Sequence, residues 1–244
     1  MALRTAEAEE AWDPTHSAWT TILQDRVSDD GRVDYKGLVE EPAPLKAYLR
    51  TLGRISEETF ESWEESEQIA FLINLYNAAT VALVTERYPV SSIRDIGGLL
   101  QSPWKLATVS LFGSKVSLDE IEHDRLRRNY AVPEIHFALV CAAMGCPPLR
   151  NEAFTGIQLQ SQLRDQGSRF FRQKDKNYVD EASSTIHLSP IFKWFEADFK
   201  TRRRSRISIA LDYMAPERPE WKERHWRVQF TPYDWSLNEQ AHED

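Results

Sequence analysis

The apolar positions along this chain change period several times, and each change predicts an element. Leu45, Tyr48, Leu49 and Leu52 recur at helical spacing within "PLKAYLRTL". Asp13-Pro14 reads as an N-cap followed by proline in a first turn, predicting a helix through roughly Val27. The strongest helical signal begins after Ser66 and runs to about Arg87, where Tyr88-Pro89 ends it. Ser117 and Glu120 have capping-box spacing at the head of "LDEIEHDRLRRNY". "NEAFTGIQLQSQLRDQGSRFF" returns to a helical period, and "PIFKWFEADF" opens a further helix with Pro190 in its first turn.

Strand signals lie between these helices. "RVDY" follows a turn at Asp29-Asp30-Gly31 and alternates like a short strand. "KLATVSLFGSKVSL" predicts two short strands around a turn at 112–114, and "NYVDEASSTIHLS" a hairpin turning at 182–184. "IHFALVCAA" is an apolar run of strand length, expected to be buried on both faces, and "WRVQFTPYDW" is a late strand. No repeat, low-complexity tract or linker divides the sequence. Helices and short strands mix without βαβ regularity, which predicts an α+β fold over 1–244, with helices packed around a small, mainly antiparallel sheet.

Composition narrows the class without changing that picture. The 244 residues are 41% hydrophobic and 28% charged, as in ordinary globular proteins, and 8 Trp with 11 Phe argue for a well-filled interior. A net charge of −8 does not suit a surface that tracks a phosphate backbone. The basic run "KTRRRSR" at 200–206 lacks interleaved aromatics, so it reads as a solvated face and not as a nucleic-acid site. The uncharged run at 70–84 is too short to span a bilayer and contains two asparagines. The start "MALRTAEAEEAWDP" lacks a secretory signal, giving a cytoplasmic reading as written and an exported one if the chain is a trimmed mature form. Oligomeric state has no signature here.

Candidate chemistry centres on "HFALVCAAMGCPPLR", which holds both cysteines. Within a strand, Cys141 reads as a small core residue. Cys146 lies between a flexible Met144-Gly145 and the extended Pro147-Pro148, at the entrance to a helical turn whose dipole, with nearby Arg150, favours a thiolate. A nucleophile there needs a base, His136 or His123, and an orienting carboxylate such as Asp234. Residues 147 and 148 have no N–H, so an oxyanion would fall to the amides of Gly145 and Cys146 or to the side chain of Asn74 or Asn77. Asn74, Asn77 and Thr80 share one face of the long helix, where the amides either tie the helix to neighbouring loops or line a polar pocket with Glu122 and Arg150. A Cys141–Cys146 disulfide and a zinc site with the histidines remain open alternatives, the latter without zinc-finger spacing. The candidate residues call for no metal and no cofactor.

The segments "AFLINLYNAATV", "SLDEIEHDRLR", "IHFALVCAAMGCPPLR", "LSPIFKWFEADF" and "YDWSLN" together resemble the domain of unknown function 547 family, found in bacteria, plants and animals. The resemblance runs from about 33 to 238 and implies that Asn74, Asn77, Glu122, His123, His136, Cys141, Cys146 and Asp234 occupy motif positions. A long helix followed by strands with a histidine is similar to papain-like and transglutaminase-like proteins, although no cysteine opens the long helix here. Two functions are therefore expected. One is a thiol-dependent hydrolase or acyl transferase acting on an amide, peptide or thioester, with Cys146 attacking and His136 or His123 moving the proton. The other is a non-catalytic module that binds a small molecule or peptide and keeps its cysteines for structure.

Overall fold

Helix α5 (Glu65–Thr85) is buried without interruption from Ile69 to Val81, so it is covered on every side. The computed structural model describes residues 12–98, 101–200 and 205–241. In length and composition α5 could cross a bilayer, yet here it is the axis of a protein core. Around it pack α2 (Tyr35–Glu40), α3 (Ala43–Gly53), a π-helix (Glu120–Arg127) and α6 (Leu159–Arg172). Helix α1 (Ser17–Arg26) lies against α3, where Trp19 stacks on Tyr48 with ring centres 5.6 Å apart. The short α4 (Glu57–Glu61) precedes α5, and β1 (Val109–Leu111) pairs with β2 (Ser114–Val116) as an antiparallel hairpin.

A second core lies toward the C-terminal half. Strands β3 (Tyr178–Asp180), β4 (Thr185–Leu188) and β5 (Arg227–Phe230) form a sheet in that order, β3 antiparallel and β5 parallel to β4. Phe170, Phe171, Phe192 and Phe199 fill the space between this sheet, α6, α7 (Ile191–Trp194) and α8 (Arg206–Met214), and Phe137 reaches in from the turn at Pro133–Phe137. The fold is α+β, mostly helical, with small and largely antiparallel sheets.

Several expected elements differ locally. Helix α1 opens at Ser17, because Asp13 spends its carboxylate on the N–H groups of Thr15 and Ser17, at 2.9 and 2.8 Å, in a turn of its own. "RVDY" contributes only bridges at Val33; Asp34 then accepts from Gly37 N at 2.8 Å and caps α2. "PIFKWFEADF" yields the single turn α7, and α6 begins at Leu159 and not at Asn151.

The largest correction concerns "IHFALVCAA", which is not a strand. Pro133 starts a 3-10 turn through Phe137, and the chain then runs irregularly beneath α5. Its peptide groups are met by a side chain in place of a neighbouring strand: Asn77 donates to Ala138 O at 2.9 Å and accepts from Val140 N at 2.9 Å. Buried peptide groups must find partners somewhere, and one amide side chain carries both kinds. Of the basic run at 200–206, residues 201–204 lie outside the described residues, as do 1–11 of the N-terminal stretch.

Candidate functional site

The cysteine loop is pinned by the C-terminal segment. Met144 N donates to Ser236 O at 2.8 Å, Gly145 N to Asp234 O at 2.8 Å, and Asn238 N to Ala142 O at 3.2 Å. A Cβ at Gly145 would sit 2.9 Å from Asp234 O and from the Tyr233 ring, so this close approach requires glycine. Cys141 and Cys146 are joined by a disulfide, with Cα atoms 6.2 Å apart. The Tyr233 hydroxyl lies 3.2 Å from each sulfur, and Lys176 Nζ donates to Cys146 O at 2.6 Å. Burial lowers the Lys176 ammonium to about 8.

This bridge forms part of the wall of a solvent-open cavity of about 200 Å3. Six stretches of sequence supply the rest. Tyr76 comes from α5, Trp104 from the turn before β1, and Asp119, Glu122 and His123 from the π-helix region. His136 and Leu139 come from the loop beneath α5, and Trp194, Phe195, Tyr233 and Trp235 from the C-terminal half. Aromatic contact orders that half: Tyr233 and Trp235 centres are 4.6 Å apart, Trp194 and Tyr233 4.8 Å. Trp194 is 48% exposed at the rim, an unusual position for an indole.

Glu122 is the buried carboxyl of this cavity, 9% exposed. Burial pushes it up to about 7, against the pull of Arg127 and a hydrogen bond donated by the Tyr76 hydroxyl. The capping box that starts its helix is formed as expected, with Glu120 accepting from Ser117 N at 2.7 Å. The expected α-helix is instead wound as a π-helix, a wider coil found often at functional sites.

His136, also buried, donates from Nε2 to Asp198 Oδ2 at 2.7 Å. Arg127 donates to the same carboxylate from Nε at 2.5 Å and from a terminal nitrogen at 3.2 Å. Burial works to raise the Asp198 carboxyl, but these donors outweigh it and hold it well below the usual range. Burial lowers His136 despite Asp198, leaving a neutral imidazole beside an anion that Arg127 neutralises. Arg127 also donates to His123 Nδ1 at 2.7 Å; a guanidinium has no acceptor, so the His123 proton resides on Nε2. Burial first, then Arg127, lower the His123 pKa.

The predicted site residues therefore separate. Cys146, His136, His123 and Glu122 share the cavity. Asn74 and Asn77 do not line it: Asn74 donates to Phe154 O at 2.7 Å and accepts from Phe154 N at 3.0 Å, as Asn77 does for the loop at 138–140. Arg150 is paired with Glu152 and Asp165, both at 2.5 Å. Asp234 is exposed and caps Ser236, at 2.9 Å from its N–H, so the orienting carboxylate beside a histidine is Asp198. The amides of Gly145 and Cys146 are already bonded, the latter to Ala143 O at 3.0 Å. Sequence reasoning missed Asp198, Trp104 and Trp194; the one signal was a carboxylate lodged among aromatics in "KWFEADF".

Larger clefts exist, one of about 840 Å3 beside Ile157 and Tyr213 and one of about 530 Å3 beside Trp12 and His16. Neither combines a disulfide, a buried carboxyl and a buried histidine–aspartate pair. No group of three His, Cys, Asp or Glu among the described residues has the geometry to hold a metal ion. Residues 60–171 match the model of the family described as Protein of unknown function, DUF547. No curated protein and no solved structure matches the chain.

Proposed function

We propose, for this chain whose residues 60–171 match the DUF547 family model, that the cavity beside Cys141 and Cys146 binds a small ligand, the cysteines serving as a crosslink in its wall. One observation carries the reading. Six separated stretches bring ionisable groups and indole rings to a single opening, and Glu122 and His136 are buried there at a desolvation cost that packing alone would avoid. A mostly apolar concavity with a few convergent polar groups is the usual form of a ligand site. At about 200 Å3 this one suits a small molecule or the end group of a longer one. The test is a chemically diverse fragment set added to the oxidised protein, read by the indole N–H resonances of Trp104, Trp194 and Trp235. Saturable shifts at those indoles support the reading; a set that moves none of them overturns it.

A second reading keeps the thiol chemistry, and the shared lining of Cys146 and His136, with Asp198 behind the imidazole, favours it. A dithiol reductant would open the bridge to two thiols and itself become a disulfide. Cys146 would then pass its proton to His136 and attack an amide or thioester carbonyl, and the leaving group would take that proton as the acyl enzyme forms. Hydrolysis of a thioester by the reduced chain, absent from the oxidised chain and from Cys146→Ser, would favour this reading. Equal inactivity of all three would dismiss it.

A further inference from the structure

We propose that the cavity ringed by Trp104, Trp194, Tyr233 and Trp235 beside Glu122 is a site for a small organic cation of the alkylated-ammonium class. This rests on the ligand-pocket reading above and names its ligand. Indole and phenol rings present negative faces, and a ring of them around a carboxylate is suited to a cation too bulky to be held by hydrogen bonds alone. Two aromatic rings of the lining, Trp235 and Phe195, already attract cations from within the chain. The Arg94 guanidinium lies 5.1 Å from the Trp235 ring centre and Arg127 lies 4.8 Å from that of Phe195.

The charges facing Glu122 favour the same ligand. On its own helix are Asp119, His123 and Arg127; from α5 comes Tyr76, from the loop beneath it His136, and from the C-terminal half Asp198 and Tyr233. Arg127 is engaged by Asp198 through two donors, and burial disfavours the charged form of both histidines. Asp119 and Glu122 are thus the acidic groups in the cavity lining, and the cysteines add no charge while bridged. An anionic ligand would meet two carboxyls, and a neutral one would gain nothing from Glu122 when it ionises. A cation would favour the ionised form, so its binding below neutral pH releases a proton from Glu122.

The experiment uses the full oxidised chain and three probes of similar bulk: tetramethylammonium, neutral 2,2-dimethylpropanol and anionic pivalate. Indole N–H shifts of Trp104, Trp194 and Trp235 report occupancy. Tetramethylammonium is expected to saturate with at least about tenfold higher affinity than the alcohol, and pivalate to bind more weakly still. Between pH 6 and 8 the cation affinity should rise by about tenfold, following the ionised fraction of a carboxyl that titrates near 7. Glu122→Gln should remove that pH dependence. Trp194→Ala, at a rim position 48% exposed, should weaken the cation several-fold while the unfolding midpoint shows whether the fold is kept. Equal binding of alcohol and cation, pH-independent cation binding by the native chain, or no saturable response to tetramethylammonium overturns the proposal. In each of these cases the ligand-pocket reading stands if the fragment set still moves the indoles, and falls with it if that set moves none.

Discussion

His136 and Asp198, 62 positions apart in sequence, meet through a single 2.7 Å hydrogen bond that joins the loop beneath α5 to the chain beyond α7. Because Arg127 shares the same carboxylate at 2.5 Å, Asp198 fastens three segments at once. Its partial exposure moderates the cost of losing it. Asp198→Asn should destabilise the protein by about 1–3 kcal/mol, measured by urea unfolding. The His136 ring resonances should broaden or split as its fixed tautomer is lost.

The disulfide predicts a mass two hydrogens below that of the reduced chain, seen by intact mass measurement with and without reductant. Closing so short a loop restricts the unfolded chain only modestly. Replacing both cysteines by serine should cost about 2 kcal/mol. Alkylation of the native protein without reductant should leave both sulfurs unlabelled.

Asn77 donates to Ala138 O and accepts from Val140 N, at 2.9 Å each, with almost no contact with solvent. Asn77→Ala strands one buried acceptor and one buried donor. The expected loss is about 2–4 kcal/mol in chemical denaturation. Asn77→Asp should be worse, since it removes the donor and introduces a charge where burial disfavours one.

Stability should depend on pH through two buried groups of opposite kind. Burial depresses His16 from 6.5 to about 4, so the unfolded chain binds the extra proton between these values. Its contribution is therefore complete above about 6.5 and is lost as pH falls toward 4. Burial raises Glu122 from 4.5 to about 7, so here the native state holds the extra proton. That contribution is complete below about 4.5 and is lost as pH rises through 7. Each is worth at most about 3 kcal/mol. Glu122→Gln should accordingly gain stability relative to the native chain between pH 5 and 8, measured by unfolding midpoints at both.

Where a signal was local, the sequence was readable. The spacing in "PLKAYLRTL" gives α3, the Ser117–Glu120 capping box holds, and both hairpins turn at the expected positions. The loop beneath α5 was not readable as one. An apolar run of strand length looks the same whether its peptide groups meet a neighbouring strand or the two ends of Asn77, and only the tertiary fold distinguishes them. The same applies to the site. His136 and Cys146 were visible as residue types near one another, whereas Asp198 and Trp194 become neighbours of that loop only after the chain has folded back. Asp234 looked like the orienting carboxylate because of its motif, but its oxygen is taken by Ser236 two residues on.

The segment from Tyr233 to Asn238 is hydrogen-bonded into the cysteine loop. It also carries two of the rings that enclose Glu122. During synthesis, Glu122 and His136 leave the ribosome long before this last wall exists. A nascent chain, or any fragment ending within the family-matched stretch, therefore has the acidic and imidazole groups but lacks the aromatic wall of the cavity. The cavity is complete only once the segment from Tyr233 to Asn238 has docked on the cysteine loop, so its shape reports on the folding of a stretch far from Glu122 in the sequence.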